Sequence, residues 1–293
     1  MRGKEENYNG RKNDQKMVAD FCTADFCGIC YRFPLAFYLG HFIFSFCKFT
    51  TVNDVTFVGF SNYSKILLDN TFSHSFWLTV VFAFVSSILI NVLAFSIALV
   101  LTKGYRGTNA FRTVFFMPNL IGGIVLGYIW QTLLNGLLSK WGQPLLSLSA
   151  RNGFIGMLIL LMWQQIGYMM IIYIAGLNNV SPDLVEAAQI DGATNRQILF
   201  KIKIPMIMPS VTICTFLTLT NGFKMFDQNL SLTGGDPGKQ SQLLALNIYD
   251  TFYARSGAQW KGIGQAKAVV FFLLVVAIAL IQLRATSSKE VQQ

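Results

Sequence analysis

Long apolar runs alternate with shorter polar intervals along this chain. The runs occupy 33–46, 76–101, 113–134, 153–175, 206–223 and 266–283, and most of the charge lies between them. A helix of about 20 residues crosses the roughly 30 Å of bilayer hydrocarbon. The pattern therefore predicts an all-α membrane protein with six transmembrane helices. The first run is the shortest, and extending it backwards takes in Arg32 and Asp25, so its start is less sharply defined than its existence. The third run contains Pro118 and Gly122-Gly123, interruptions that a membrane helix tolerates where neighbours cover the freed backbone. Gly127 is a further small residue at which helices can approach closely.

This reading divides the chain into a basic tail (1–20), a first span with its connection (21–75), a core of five spans (76–284) and a short tail (285–293). Loops at 135–152, with an interfacial Trp141, and at 224–265 fall on the side opposite the termini. Composition agrees: 53% of residues are hydrophobic and 13% charged, against about a quarter charged in soluble domains. A net charge of +9 would suit nucleic acid if it were gathered in one patch, but it flanks the apolar runs instead. Lysine and arginine are densest in the N-terminal tail, at Lys103, Arg106 and Arg112, and at Arg196, Lys201 and Lys203. That bias puts both termini and the 181–205 loop in the cytosol. No cleavable signal peptide is evident ahead of the first run.

The five cysteines are Cys22, Cys27, Cys30, Cys47 and Cys214. Cys27-x-x-Cys30 has no second pair, and His41 and His74 stand alone, so these residues read as small apolar side chains rather than a metal or redox site. There is no Walker-type glycine-lysine loop, no Ser-His-Asp set, no H-E-x-x-H and no paired membrane carboxylate. The expectation is a protein that is not an enzyme and borrows any energy it uses.

The polar interval 181–205 is the most informative stretch. Ser181-Pro182-Asp183 opens a helix with an N-cap hydroxyl, a proline at the first position and a carboxylate at the positive end of the dipole. Gly192 breaks that helix, and a second runs from about Thr194 until Pro205. Two short helices joined at a glycine make a knob for insertion into another protein. Ala187, Ala188 and Ala193 keep it small, Phe200 and Ile204 offer apolar anchors, and Glu186 and Asp191 supply charge.

The pattern Glu186-Ala187-Ala188, then Gly192-Ala193, Phe200 and Pro205 resembles the EAA loop of permease subunits from binding-protein-dependent ABC importers. The Asp191-Gly192-Ala193 form is most similar to carbohydrate permeases of the maltose and multiple-sugar type. Phe33-Pro34-Leu35, the segment 57–63 (FVGFSNY) and Thr233-Gly234-Gly235-Asp236-Pro237 extend the resemblance over about 33–284, while 19–32 departs from the family pattern. The resemblance implies a type I importer permease (MetI-like) fold and an ATPase-coupling role for Glu186, Ala187, Ala188, Asp191, Gly192, Ala193, Phe200 and Pro205. It implies a second homologous permease, two cytosolic ATPase subunits that bind ATP and Mg, and an extracytoplasmic sugar-binding protein. This chain itself would hold no cofactor or metal.

Polar residues inside the fourth and fifth runs have two readings on periodicity alone. Trp163, Gln164, Gln165 and Tyr168, with Thr215, Thr218, Asn221, Gly222 and Met225, either line a solute path or bond helix to helix. The resemblance implies substrate contacts at Gln164, Gln165, Tyr168, Thr218, Asn221, Gly222 and Met225. Lys224 and Asp227 are spaced to pair on the surface. The function implied is ATP-driven import of a sugar or oligosaccharide. The alternatives are the same machinery carrying a polyol phosphate or sialic acid, an ion-coupled secondary carrier, or a membrane-bound enzyme.

Overall fold

The computed structural model describes residues 40, 42–51, 54–104 and 107–287. The expected basic tail, most of the first span with Phe33-Pro34-Leu35, and Cys22, Cys27, Cys30 and His41 lie outside them. Two short strands, β1 (Cys47–Phe49) and β2 (Val55–Phe57), pair antiparallel with Cys47 opposite Phe57. Eleven helical segments follow: α1 (Ser61–Leu67), α2 (Asn70–Leu101), α3 (Thr108–Leu120, its last turn 3₁₀) and α4 (Gly123–Lys140). Next come α5 (Ala150–Asn178), α6 (Pro182–Ile190), α7 (Asn195–Met206) and α8 (Met208–Phe223). The chain ends with α9 (Asp227–Leu232), α10 (Leu244–Tyr249) and α11 (Ala258–Ser287).

α2, α5 and α8 form the centre. Phe82, Ser86, Ile90, Ala94 and Ala98 recur every fourth residue along α2 and are all fully buried, a stripe that one helical face brings into line. Most are small, which lets the neighbouring backbones come close. A Cβ at Gly222 of α8 would stand 2.9 Å from the Ala83 Cα, and one at Gly167 of α5 would overlap the Phe115 carbonyl of α3. The outward faces stay apolar and exposed, with Val81, Phe84, Ile88 and Val92 on α2 and Phe272, Leu273 and Ile281 on α11. Such surfaces suit lipid or a partner helix rather than water.

Among the described residues, α2, α5 and α11 are each long and apolar enough to cross a membrane, and two bent pairs raise the number to five. The expected span 113–134 is broken at its interruptions into α3 and α4, which meet at 103°. Pro118 lies in the terminal 3₁₀ turn of α3, and Gly122 is extended (φ −61°, ψ 141°) ahead of α4, so the helical ladder ends there instead of passing through. Gly127 does permit close approach, since a Cβ there would overlap Ser231 of α9. α7 and α8 likewise bend by 70° at Ile207.

The intervals read as loops are built up. Asn62 Nδ2 donates to the Ser45 and Cys47 carbonyls at 2.9 Å each, fastening α1 to β1. α9, α10 and the first turns of α11 fold the expected 224–265 loop into a crown. Lys267, 0% exposed, donates to Asp69 at 2.8 Å, Asn247 at 2.8 Å and Thr251 at 2.9 Å, and so joins α11 to the start of α2 and to α10. Asp69 also caps α2 by accepting from the Thr71 and Phe72 amides. Burial alone would raise its carboxyl, but the Lys267 bond and charge, with those amides, hold it below the ordinary 3.8. His74 is not isolated: its Nε2 meets the Gln240 carbonyl at 3.0 Å.

Candidate functional site

The 181–205 loop stands at the end of the molecule where α2 and α5 finish. Pro182 occupies the first turn of α6 and Asp183 its acidic position, but the Ser181 hydroxyl makes no capping bond, so proline geometry and charge open the helix without it. Gly192 adopts φ +79° with open space around it, a left-handed turn that Ala or larger residues resist. Thr194 and Gln197 then form a reciprocal capping box, Gln197 Oε1 accepting from the Thr194 amide at 2.7 Å. Pro205 does not end the second helix. A π-helical turn over Leu199–Lys203 comes just before it, and the chain stays helical to Met206. A wider turn leaves room for the proline ring and its missing donor.

Glu186, Ala187, Asp191, Gly192 and Phe200 are exposed, and Ala188, Ala193 and Pro205 half-buried. Glu186 and Asp191 make no ion pair among the described residues. Phe200 is 66% exposed, whereas Ile204 is half-buried. Ile190 at 86% and Leu184 at 47% are the further apolar projections. Sequence reasoning missed both, although an isoleucine just before a glycine break on a polar loop is a readable signal. Val185 and Ile198 face inward and seat the knob on the ends of α2 and α5.

Further along α5, a polar cleft of about 210 Å³ opens between α5, α8 and the α3–α4 break. Gln164, Gln165, Asn221 and Met225 line it together with Asn119, Lys224 and Gln228. Gln164 is held at both ends: its Nε2 donates to the Ile121 carbonyl at 3.2 Å, and its Oε1 accepts from Gln228 at 2.8 Å. Asn221 Nδ2 donates to Gln165 Oε1 at 3.3 Å. Asn119 and Lys224 have no such partner among the described residues, and Lys224 does not pair with Asp227. Amides dominate this lining, which can exchange hydrogen bonds with hydroxyls in both directions.

Three of the residues predicted for the cavity are elsewhere. Thr218 is fully buried, bonded to Ser87 and Asn91 at 2.8 Å each and to the Cys214 carbonyl, while Asn91 accepts from the Tyr173 hydroxyl at 2.7 Å. Gly222 lies against Ala83 and Ser86 of α2. Tyr168 is partly exposed and rests on Phe116. Trp163 packs edge-on against Trp130. Gln228 was missed because it sits in the interval read as a loop, and Asn119 because it sits in the run 113–134, whose break between α3 and α4 turns it toward the cleft.

Comparison with known proteins locates this architecture. Residues 72–288 match the family model described as binding-protein-dependent transport system inner membrane component. A probable starch degradation products transport system permease protein of Thermoanaerobacterium thermosulfurigenes is 40% identical over 257 residues, 85% of this chain and 87% of that one. The multiple sugar-binding transport system permease protein of Streptococcus mutans is 29% identical, with 87% and 91% covered. In fold, the chain resembles a bacterial ABC transporter involved in the import of the acidic polysaccharide alginate, with a TM-score of 0.76, 18% identity, and 96% and 98% of the two chains covered. The broken α3–α4 and α7–α8 pairs, the long α2 and α5 and the exposed knob thus belong to a multi-pass permease, and the chain is a member of the binding-protein-dependent transport system inner membrane components, a transport component rather than an enzyme.

Proposed function

We propose that this chain is the permease subunit of an ATP-driven importer for a sugar or oligosaccharide. The observation that carries the reading is the amide-lined cleft on α5, the same helix that leads into the exposed knob at residues 181–205. Five amides, those of Asn119, Gln164, Gln165, Asn221 and Gln228, accompany a single ammonium, Lys224. That ratio suits hydroxyls better than a strongly anionic solute. The relatives named for starch degradation products and for multiple sugars favour the same class.

In this reading the knob docks into a separate cytosolic ATPase, which binds ATP and Mg, with two such subunits per assembly. Glu186, Asp191, Ile190 and Phe200 make the contact, and Ala187, Ala188, Gly192 and Ala193 let it sit closely. Lys103, Arg196, Lys201 and Lys203 gather at that end of the molecule, which supports a cytosolic placement. A second homologous permease covers exposed apolar faces, and an extracytoplasmic binding protein delivers the sugar to the crown. Nucleotide and loaded binding protein then bias one two-state passage from opposite ends.

The test reconstitutes the assembled complex in proteoliposomes and follows uptake of labelled maltooligosaccharides, with sialic acid and glycerol 3-phosphate as competitors. ATP-dependent uptake of the oligosaccharide that the anions leave untouched is expected. Uptake without ATP, or of the anions alone, overturns the reading.

A further inference from the structure

At the end of the molecule opposite the 181–205 loop, a cavity of about 630 Å³ opens between the first turns of α2, the first turns of α5 and the turn at 238–240. One part of its wall is cationic, from Arg151 and Lys239, with His74 beside them. Another is apolar, from Leu78, Phe154 and Ile155, and no carboxylate lines it. Arg151 is exposed and has no hydrogen-bond or ion-pair partner among the described residues. Lys239, also exposed, shares its charge with Asp250 at 2.8 Å. The Gln240 carbonyl can only accept, so His74 donates to it from Nε2, leaving Nδ1 unengaged. Phe154 is held edge-on by the buried ring of Phe82, which fixes the apolar wall.

The level of this cavity relative to the bilayer follows from lengths. α2 has 32 residues, about 48 Å at 1.5 Å per residue, roughly 18 Å more than the hydrocarbon thickness. The apolar run begins only at Phe76, so the surplus takes in the largely polar first turns, with Asn70, Thr71, Ser73, His74 and Ser75, and these stand among lipid headgroups. Trp77, next to Leu78 and 64% exposed, is the amphipathic side chain that prefers this boundary. Cations therefore meet an apolar wall at the layer where a phospholipid places its phosphate above its acyl chains.

We infer that this cavity is a binding site for an anionic phospholipid of the phosphatidylglycerol class, in the leaflet opposite the 181–205 loop. The Arg151 guanidinium takes the phosphate through paired N–H bonds, Lys239 adds a second cation, and one acyl chain lies along Leu78, Phe154 and Ile155. A zwitterionic headgroup brings its own ammonium among these cations and binds less well. An acidic protein surface would meet the charge but leave the apolar wall uncovered. The site joins α2, α5 and the crown, and its occupancy does not depend on which solute the permease carries.

The experiment uses the full chain, isolated in neutral detergent with the subunits that accompany it. Bound lipid is counted by native mass spectrometry against phosphatidylglycerol, phosphatidylcholine of the same acyl chains, and inorganic phosphate. Phosphatidylglycerol should bind about tenfold more tightly than phosphatidylcholine, and Arg151→Gln should lose about fivefold of that, as expected for one cation near a membrane surface. Arg151→Lys should fall between. Equal binding of the two lipids overturns the inference, as does an unchanged preference in R151Q. Displacement of phosphatidylglycerol by an equal concentration of inorganic phosphate also overturns it, in favour of a soluble-anion site. The two-lipid comparison on the unaltered chain decides the matter even without a variant.

Discussion

Thr218 and Asn221 lie less than one helical turn apart on α8, and each belongs to a cluster of amides and hydroxyls, but the two clusters differ in kind. Around Thr218, the groups of Ser87, Asn91 and Tyr173 are spent on one another at 2.7–2.8 Å, in a largely buried contact between α2, α5 and α8. Around Asn221, the contact to Gln165 is a longer 3.3 Å, and Asn119 and Lys224 are left to solvent in an open cleft. The first arrangement is adhesive, because an unpaired polar group inside a membrane bundle is costly. The second retains capacity to bond something else. Which one a residue joins depends on what faces it.

Variants can separate the two. The largest effect is expected from a third place: Glu186→Lys on the exposed knob should bring uptake and ATPase stimulation to background, with both polar clusters and the melting midpoint intact. Residual coupled uptake would detach the knob from the cleft. Next, Asn91→Leu strands the Tyr173 hydroxyl and removes a bond from Thr218. It should destabilise the chain by roughly 1–3 kcal/mol, read as a lower midpoint in denaturant; an unchanged midpoint would show that the closed cluster is not adhesive. Asn221→Ala should do the reverse, raising the half-saturating solute concentration about tenfold, or ~1.4 kcal/mol, with little change in melting. If it melted like Asn91→Leu and transported normally, the two clusters would be alike.

The smallest effect concerns pH at the ion pair between Asp69 and Lys267. The Asp69 carboxyl is held below its ordinary 3.8, so the stabilisation it brings is complete above that value. It is lost only as pH falls through the lower folded value. Melting should therefore show no pH dependence from Asp69 between about pH 5 and 8, and an acid limb below about pH 4 that Asp69→Asn lacks. An Asp69-dependent slope near neutrality would contradict this ordering.

The legible parts of this molecule were those written in local chemistry. Pro182, Asp183, Gly192 and Thr194 announce two helices and a left-handed joint, and the geometry follows them closely. Apolar run length found α2, α5 and α11 for the same reason, since a span is a property of one segment. What could not be read depended on contacts between segments. Nothing near Thr218 says that Ser87 and Asn91 lie opposite it, 127 or more residues away in the chain. Nothing in Pro118 or Gly122 reveals whether a break is absorbed or turns the chain by 103°, because that depends on where α5 and α9 offer a surface. Nothing in the run 266–283 says that the Lys267 ammonium is met by Asp69, Asn247 and Thr251 from three other places in the chain.

Both ends of the Gln164 side chain are already engaged, one by the Ile121 carbonyl at the α3–α4 break and the other by Gln228. A hydroxyl arriving there swaps partners with groups that were already satisfied, so entry is an exchange reaction with a small net gain. Under the proposed import function such a trade suits a conduit: cargo held loosely would leave quickly, and the proposed ATPase rather than escape from the wall would set turnover.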